Sequence, residues 1–249
     1  MKKTLNRVPE VTAVFWIIKV LATTVGETGA DFLNMDMKFG LSNTSYIMSG
    51  ILLILLLNQL RLKRYVPVSY WLVVVMTSVV GTLITDRLVD DLGVKMATIT
   101  IVFSVVLATI FGGWYASEKT LAMHSIDTAK REIFYWAAIL FTFALGTATG
   151  DLFAETFKLG YAQATLIFSV AIAIIAGSYY YLGMNSVLAF WLAYILTRPL
   201  GAATGDLLSQ SVINGGFGFG TVGTSMLFLS IIASLIIYLS FKQKRQAHS

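Results

Sequence analysis

The chain has 249 residues, of which 57% are hydrophobic and 12% are charged, and its formal net charge is +5. Soluble domains carry about 25% charged residues, so this composition excludes an ordinary soluble protein and predicts an integral membrane protein. Cysteine is absent, which excludes disulfide bonds and thiolate metal sites.

Eight apolar stretches are long enough to cross the hydrocarbon core of a bilayer, which takes roughly 18 or more residues. In chain order they span 11–33, 42–60, 67–86, 94–115, 133–153, 162–182, 185–207 and 221–241. The first stretch is longer than the apolar part of a signal peptide, so we expect it to be retained. The sequence therefore predicts an all-α integral membrane protein with eight transmembrane helices.

The basic residues are distributed unevenly between the connections of these helices. Twelve of the 18 lie at the two chain ends or in every second connection: Lys2, Lys3, Arg7, Arg61, Lys63, Arg64, Lys119, Lys130, Arg131, Lys242, Lys244 and Arg245. Four lie in the opposite connections: Lys38, Arg87, Lys95 and Lys158. By the positive-inside rule, both termini are predicted to be cytoplasmic. Membrane topology thus explains the net charge, and no nucleic-acid partner is expected.

One pattern occurs four times along the chain: an aromatic-Trp pair, a Gly ten residues after the Trp, and an Asp five residues after that Gly. The copies are Phe15-Trp16 with Gly26 and Asp31, Tyr70-Trp71 with Gly81 and Asp86, Tyr135-Trp136 with Gly146 and Asp151, and Phe190-Trp191 with Gly201 and Asp206. Such a period indicates an internal repeat. We predict four parallel two-helix repeats, at approximately 11–60, 67–116, 131–182 and 186–241, in one membrane domain. The four first helices are expected to be the inner ones.

Two parts of the motif have a structural explanation. The aromatic-Trp pairs begin the first helices, where aromatic side chains favour the membrane interface, so we expect them to form an anchoring belt. Each motif Gly has a small residue four positions later, as in Gly146 and Gly150. That spacing is typical of close helix packing, although a local unwinding of the helix is an equal alternative.

Polar residues follow one stripe of each first helix, because positions four apart lie on nearly the same face. In the first helix the stripe contains Lys19, Thr23, Glu27 and Asp31. The equivalent residues are Val74, Ser78, Thr82, Asp86, Ile139, Phe143, Thr147, Asp151, Tyr194, Arg198, Ala202 and Asp206. A charge at the bilayer centre costs about 3 kcal/mol. The stripe is therefore expected to face protein or water.

The charges on this stripe predict a cation site. The predicted cation-binding or proton-binding residues are Glu27, Asp31, Asp86, Asp151 and Asp206, with Lys19 and Arg198 as charge partners and Thr23 and Thr147 as supporting polar groups. Two cations against five carboxylates leave a formal charge of −3. An unbalanced acidic cluster attracts cations or holds protons.

The individual carboxylates have different expected roles. We expect Glu27, Asp31, Asp151 and Asp206 to be the ligands of a metal ion. Glu27 lies one turn deeper than Asp31 and is the best candidate to bind and release a proton, unless Arg198 or Lys19 lies close enough to keep it ionised. The outer acids Asp36, Asp90, Asp91 and Glu155 vary between copies and are expected to form a solvated surface or, at most, an electrostatic funnel for cations.

The motif region resembles a known family. The segments FWIIKVLATTVGETGADFL at 15–33, FTFALGTATGDLF at 141–153 and LTRPLGAATGDLL at 196–208 resemble the bacterial "membrane-anchored protein" family, which is built from a repeated two-helix domain of unknown function. The resemblance covers essentially the whole chain and implies a bacterial inner-membrane protein of four repeats. The second copy departs from the pattern, because Asp86 is followed by Arg87, with which it is expected to pair.

These observations favour a secondary transporter of cations. We expect a divalent metal ion such as Mn²⁺ or Mg²⁺ as the substrate, coupled to protons, because oxygen ligands without Cys suit hard ions. No tightly bound cofactor and no enzyme activity are expected. One alternative is a proton-driven exporter of organic cations or drugs, with Tyr194 and Phe143 lining an apolar pocket. Another is a scaffold or sensor in which the charges only fix helix register. The oligomeric state stays open.

Overall fold

The computed structural model describes residues 6–248, with the side chains of residues 35, 36 and 246–248 excepted. The predictions for Lys2, Lys3 and the Asp36 side chain lie outside the described residues. The long helices are α1 (Ala13–Asp31), α2 (Leu41–Arg61), α3 (Pro67–Asp86), α4 (Met96–Glu118), α5 (Ala129–Asp151), α6 (Tyr161–Tyr181), α7 (Ser186–Ser209) and α8 (Gly220–His248).

All eight helices in this range are long and apolar enough to cross a membrane, which confirms the predicted fold class. They fall into two groups by burial. In the most apolar 18-residue windows of α1, α3, α5 and α7, between 56% and 67% of residues are buried within the protein, against 11% to 22% for the other four. The first helix of each repeat is therefore an inner helix. The chain is a multi-pass membrane protein of four two-helix repeats.

The inner helices form a closed ring. The helix α1 packs against α3 and α7, and α5 packs against the same two helices. Each outer helix packs mainly on the inner helix of the following repeat, since α2 contacts α3, α4 contacts α5 and α6 contacts α7. The last helix, α8, returns to α1 and completes the cycle. Consecutive helices of one repeat are therefore not the main packing partners.

The motif glycines permit the close approach of the inner helices. A methyl group added at Gly26 would overlap Ser78, and one at Gly201 would overlap Thr23. One at Gly81 would lie 2.8 Å from Phe143 Cβ, and one at Gly146 would overlap the Arg198 side chain. At each motif Gly, a residue of the polar stripe on the next inner helix of the ring thus packs directly against the glycine backbone. Since α1, α3, α5 and α7 run without interruption past these positions, the glycines provide close packing and not a local unwinding.

Three of the four inner α-helices end at the motif Asp. After Asp31, Asp86 and Asp151 the chain continues for one wider π-helical turn, at Phe32–Asp36, Arg87–Asp91 and Leu152–Thr156. In the fourth repeat α7 continues as an α-helix past Asp206 to Ser209. The sequence has no Pro or Gly at these points that would terminate the helices. Such π-helical turns occur frequently at functional sites.

The aromatic-Trp pairs do not form the anchoring belt that was expected. Trp71, Trp136 and Trp191 are at most 5% exposed, because they lie on inner helices and face neighbouring helices instead of lipid. The ring of Phe15 lies 5.5 Å from that of Trp71, and the rings of Tyr70 and Trp136 are 5.4 Å apart. These side chains form an aromatic layer that fills the N-terminal end of the ring of inner helices.

Candidate functional site

The predicted stripe lies inside the ring of inner helices, as expected from its charges. Beyond the aromatic layer it forms three layers that are buried, and a fourth layer that contains the four motif Asp residues. Lys19, Thr23 and Arg198 are completely buried, and Glu27 is 5% exposed. Asp31, Asp86 and Asp151 are half-buried, and Asp206 is 7% exposed. The stripe therefore becomes more accessible toward the C-terminal ends of the inner helices.

Arg198 is the central cation of the site. Its Nη2 donates to Glu27 Oε2 at 2.9 Å, to Thr147 Oγ1 at 2.7 Å and also to Thr82 Oγ1. Its Nη1 donates to the Thr23 carbonyl at 3.3 Å. One side chain of α7 thus contacts the other three inner helices. Arg198 thus forms an ion pair with Glu27 inside the ring of inner helices.

Three carboxylates converge beside this ion pair. Oxygen atoms of Glu27, Asp151 and Asp206 lie within 4.8 Å of one another, and in the described part of the chain these three form the group that could hold a metal ion. They come from α1, α5 and α7. The longer side chain of Glu27 reaches the Asp layer from one turn deeper. With Arg198 included, the group has a formal charge of −2, which equals the charge that a divalent cation would neutralise.

The other two motif carboxylates lie outside this group. The group of three carboxylates does not include Asp31 or Asp86. Asp31 had also been predicted as a metal ligand. Arg87 does not pair with Asp86 as expected, because its side chain turns to Asp91 at 3.8 Å and donates to the Tyr46 hydroxyl at 2.8 Å. Arg87 therefore does not neutralise Asp86, the motif Asp of the second repeat.

Lys19 has an environment of aromatic rings and not of carboxylates. Its Nζ lies 4.2 Å from the ring centre of Tyr194 and 4.6 Å from that of Phe143, and it donates to the Tyr194 carbonyl at 3.3 Å. Within the described residues Lys19 forms no salt bridge. The two rings that we expected to line an apolar pocket are completely buried and enclose this amine. Lys19 is therefore a partner of the aromatic layer and not of Glu27.

Replacing Lys19 with methionine should stabilise the protein. The change keeps the length of the side chain and removes an amine that is buried without a carboxylate, a placement that costs several kcal/mol when the group is charged. We expect the melting temperature of the detergent-solubilised protein to rise by a few degrees. The matched control is Lys95→Met at an exposed position, which should leave it unchanged. A fall for Lys19→Met would show that the contacts of the amine with the Tyr194 and Phe143 rings and with the Tyr194 carbonyl outweigh the cost of burying it.

Two residues that the sequence did not single out contribute to this region. Thr82 contacts both Arg198 and, at 3.4 Å, Glu27 Oε2. Glu132 is completely buried and forms an ion pair with Arg7 at 2.8 Å, on the N-terminal side of the aromatic layer. Gln59 also donates to Glu132 at 3.0 Å. This second ion pair ties the segment before α1 to α2 and α5. Thr82 occupies the repeat position of Glu27 and Thr147, which could have indicated its role, whereas Glu132 lies outside the repeated pattern.

The comparisons with known proteins identify the family. A search of curated proteins found no match, and a search of solved structures found none either. A family model described as "Repeat of Unknown Function (DUF347)" matches residues 14–65, 69–120, 134–184 and 189–245. Each match covers one inner helix and the outer helix that follows it, which confirms the expected repeated two-helix domain. The chain therefore belongs to the family defined by the DUF347 repeat, and carries four copies of it.

Proposed function

We propose that the protein is a secondary transporter of cations in the bacterial inner membrane, with both termini in the cytoplasm. Its substrate is a divalent metal ion such as Mn²⁺ or Mg²⁺, exchanged for protons. The observation that carries this proposal is the convergence of Glu27, Asp151 and Asp206 within 4.8 Å inside the membrane-spanning ring. Carboxylate oxygens are preferred ligands of these hard ions.

The electrostatics of the three carboxylates support a bound cation or protons. Two ionised groups about 4.8 Å apart repel by about 3 kcal/mol at an effective dielectric constant of about 20. Three such groups with one guanidinium are therefore stabilised by protonation or by a divalent ion. A scaffold would need only the Glu27–Arg198 ion pair, and Asp151 and Asp206 add negative charge that helix packing does not require. This excess favours transport over the scaffold or sensor alternative.

Arg198 provides a means of exchange between loaded and empty states. Its guanidinium binds Glu27 Oε2 at 2.9 Å, so it supplies positive charge at the edge of the metal group. An arriving ion would compete with Arg198 for Glu27, and protons on Asp151 and Asp206 would compete with the ion. Thr82 and Thr147 accept hydrogen bonds from the same nitrogen and keep the guanidinium satisfied when Glu27 turns to the ion.

Access to the acidic group differs between the two ends of the ring. Asp31, Asp86 and Asp151 are half-buried at the C-terminal ends of the inner helices. At the N-terminal ends, the aromatic layer and the Arg7–Glu132 ion pair close the ring. With cytoplasmic termini, this is a state accessible from outside the cytoplasm. Alternating access then requires the aromatic layer to separate, in a movement of inner helices against each other.

Ion uptake into proteoliposomes tests this proposal. The protein should carry Mn²⁺ or Mg²⁺ from a panel of metal ions, and a pH gradient of the correct direction should accelerate the flux. Asp206→Asn and Glu27→Gln should each reduce it at least about tenfold, because each removes a charged ligand worth more than 1.4 kcal/mol. Asp90→Asn, in the exposed outer set, is the control and should retain flux.

Two outcomes would count against the proposal. Absence of flux for every ion, with no effect of Asp206→Asn or Glu27→Gln on metal binding, would leave the scaffold or sensor as the better explanation. Flux of organic cations instead of metals, lost in the same variants, would favour the exporter.

A further inference from the structure

A large groove lies on the side of the molecule, away from the acidic group. The helices α1, α6 and α7 enclose about 850 Å³ along the N-terminal half of the α1–α7 contact. Trp16, Val20 and Ile172 are among the apolar side chains of its walls. Tyr179 and Tyr180 line it too and are exposed on α6, so the groove opens toward the surrounding lipid.

The other half of the molecule contains an equivalent but much smaller groove. Trp16 corresponds to Trp136 and Trp71 to Trp191, so residues 120 positions apart are equivalent. The helices α2, α3 and α5 accordingly enclose a second groove, of about 230 Å³. Side-chain size explains part of the difference, because the smaller groove has Leu56 where the larger has Ala176, and Leu140 where the larger has Val20. One of two related grooves is thus enlarged.

The larger groove also has a polar end, which its smaller counterpart lacks. Glu10, Asn6 and His124 line it there. Among the described residues that line the groove, Glu10 is the one acidic residue, and its side chain is exposed. The buried Oδ1 of Asn6 has no hydrogen-bond partner within the described part of the chain. A carboxylate and an unsatisfied carbonyl oxygen together favour an ammonium group.

The same end offers hydrogen-bond donors for an anion. The first residues of α1 and of α7, which begin at Ala13 and Ser186, line the groove together. The side chains of Thr12 and Asn185 already accept from the N–H groups of Phe15, Val187 and Leu188. The N–H groups that precede these in each first turn have no partner within the helix, and both N-termini have a positive partial charge. Phosphate groups bind at such termini. The polar end therefore complements a headgroup that contains both a phosphate and an ammonium, while the apolar walls complement a hydrocarbon chain.

We propose that this groove is a binding site for one phospholipid with an ethanolamine headgroup. The ammonium lies at Glu10 and Asn6, the phosphate lies at the N-termini of α1 and α7, and an acyl chain lies between α6 and the α1–α7 contact. The lining residues include Val20 and Thr197, which are next in sequence to Lys19 and Arg198. A bound lipid would thus stabilise the contact between the two helices that form the Glu27–Arg198 ion pair.

Native mass spectrometry tests the site on the full chain. The protein is reconstituted with equal amounts of phosphatidylethanolamine and phosphatidylglycerol and extracted in mild detergent. The mass of the intact protein then gives the number and type of bound lipids. We expect one retained phosphatidylethanolamine per chain. Ala176→Leu, which copies the smaller groove, should abolish retention. Ala173→Leu adds the same bulk on the same helix at an exposed position outside the lining and should retain the lipid.

A second variant tests the headgroup separately from the groove. Glu10→Gln should reduce the preference for phosphatidylethanolamine over phosphatidylglycerol about tenfold, as expected for loss of one hydrogen bond to a charged group. If Ala176→Leu fails to fold, Val20→Leu narrows the groove from α1 instead.

Three results would overturn this proposal. Equal retention of the two lipids would remove the headgroup assignment. Retention that is unchanged in both groove variants would remove the location. Binding of the apolar cation tetraphenylphosphonium in place of the lipid, lost in Ala176→Leu, would assign the groove to organic cations.

Discussion

Replacing Gly201 or Gly26 with alanine should strongly destabilise the protein. A methyl group at Gly201 would overlap the Thr23 side chain and lie 3.1 Å from its backbone carbon, and one at Gly26 would lie 2.9 Å from the Ser78 backbone carbon. Backbone contacts force the helices apart, and overpacking typically costs 1–3 kcal/mol. We expect the melting temperature of the detergent-solubilised protein to fall by about 2–12 °C, at about 2–4 °C per kcal/mol.

The outer helices provide matched controls for these substitutions. Gly50 in α2 and Gly177 in α6 have no atom within 4 Å of an added methyl group. Alanine is the better helix former by about 1 kcal/mol, so Gly50→Ala and Gly177→Ala should leave the melting temperature unchanged or raise it. Equal losses for inner and outer positions would show that helix flexibility, and not the close approach of α1, α3 and α7, explains the motif glycines.

Replacing Arg198 with methionine should cause a comparable loss. The change leaves the Glu27 carboxylate buried without its cation and removes the hydrogen bonds to Thr82 and Thr147. Breaking a buried ion pair on one side costs about 3–5 kcal/mol, so the melting temperature should fall by about 6–20 °C. In the double variant Glu27→Gln with Arg198→Met, the unpaired charge is absent, and most of the loss should be recovered.

An exposed ion pair serves as the control for Arg198. Arg87 lies 3.8 Å from Asp91, and both side chains are at least 33% exposed. Exposed pairs contribute about 0–1 kcal/mol, so Arg87→Met should change the melting temperature by at most about 4 °C. If the effects of Glu27→Gln and Arg198→Met simply add, the two side chains do not interact as a pair, and the geometry of the site would need revision.

The helices and their inner or outer positions could be predicted because they follow from simple patterns. Apolar length marks the eight spans, and the four-fold motif gives four equivalent helices. The polar stripe then requires those four helices to face one another, since Glu27, Lys19 and Arg198 are costly in lipid. Repetition of Asp31, Asp86, Asp151 and Asp206 also indicated one common depth for the acidic residues.

The arrangement within the site could not be predicted, because the motif hides differences between the four copies. Equivalence suggested a ring of four Asp residues, whereas Asp151 and Asp206 converge with Glu27. The aromatic-Trp pairs have the composition of an interfacial belt, and only the ring of helices shows that three of the four Trp residues are buried. The Arg7–Glu132 ion pair joins residues 125 positions apart, with no motif to relate them.

The return of α8 to α1 has a consequence for how the chain is made. Synthesis proceeds from the N-terminus at about 5–20 residues per second, and Arg198 follows Glu27 by 171 residues. About 10–30 s therefore pass between the synthesis of Glu27 and that of Arg198. The helix α8, which also packs against α1, is completed last. Exposure of Glu27 and Lys19 to lipid is therefore costly until the fourth repeat has been made.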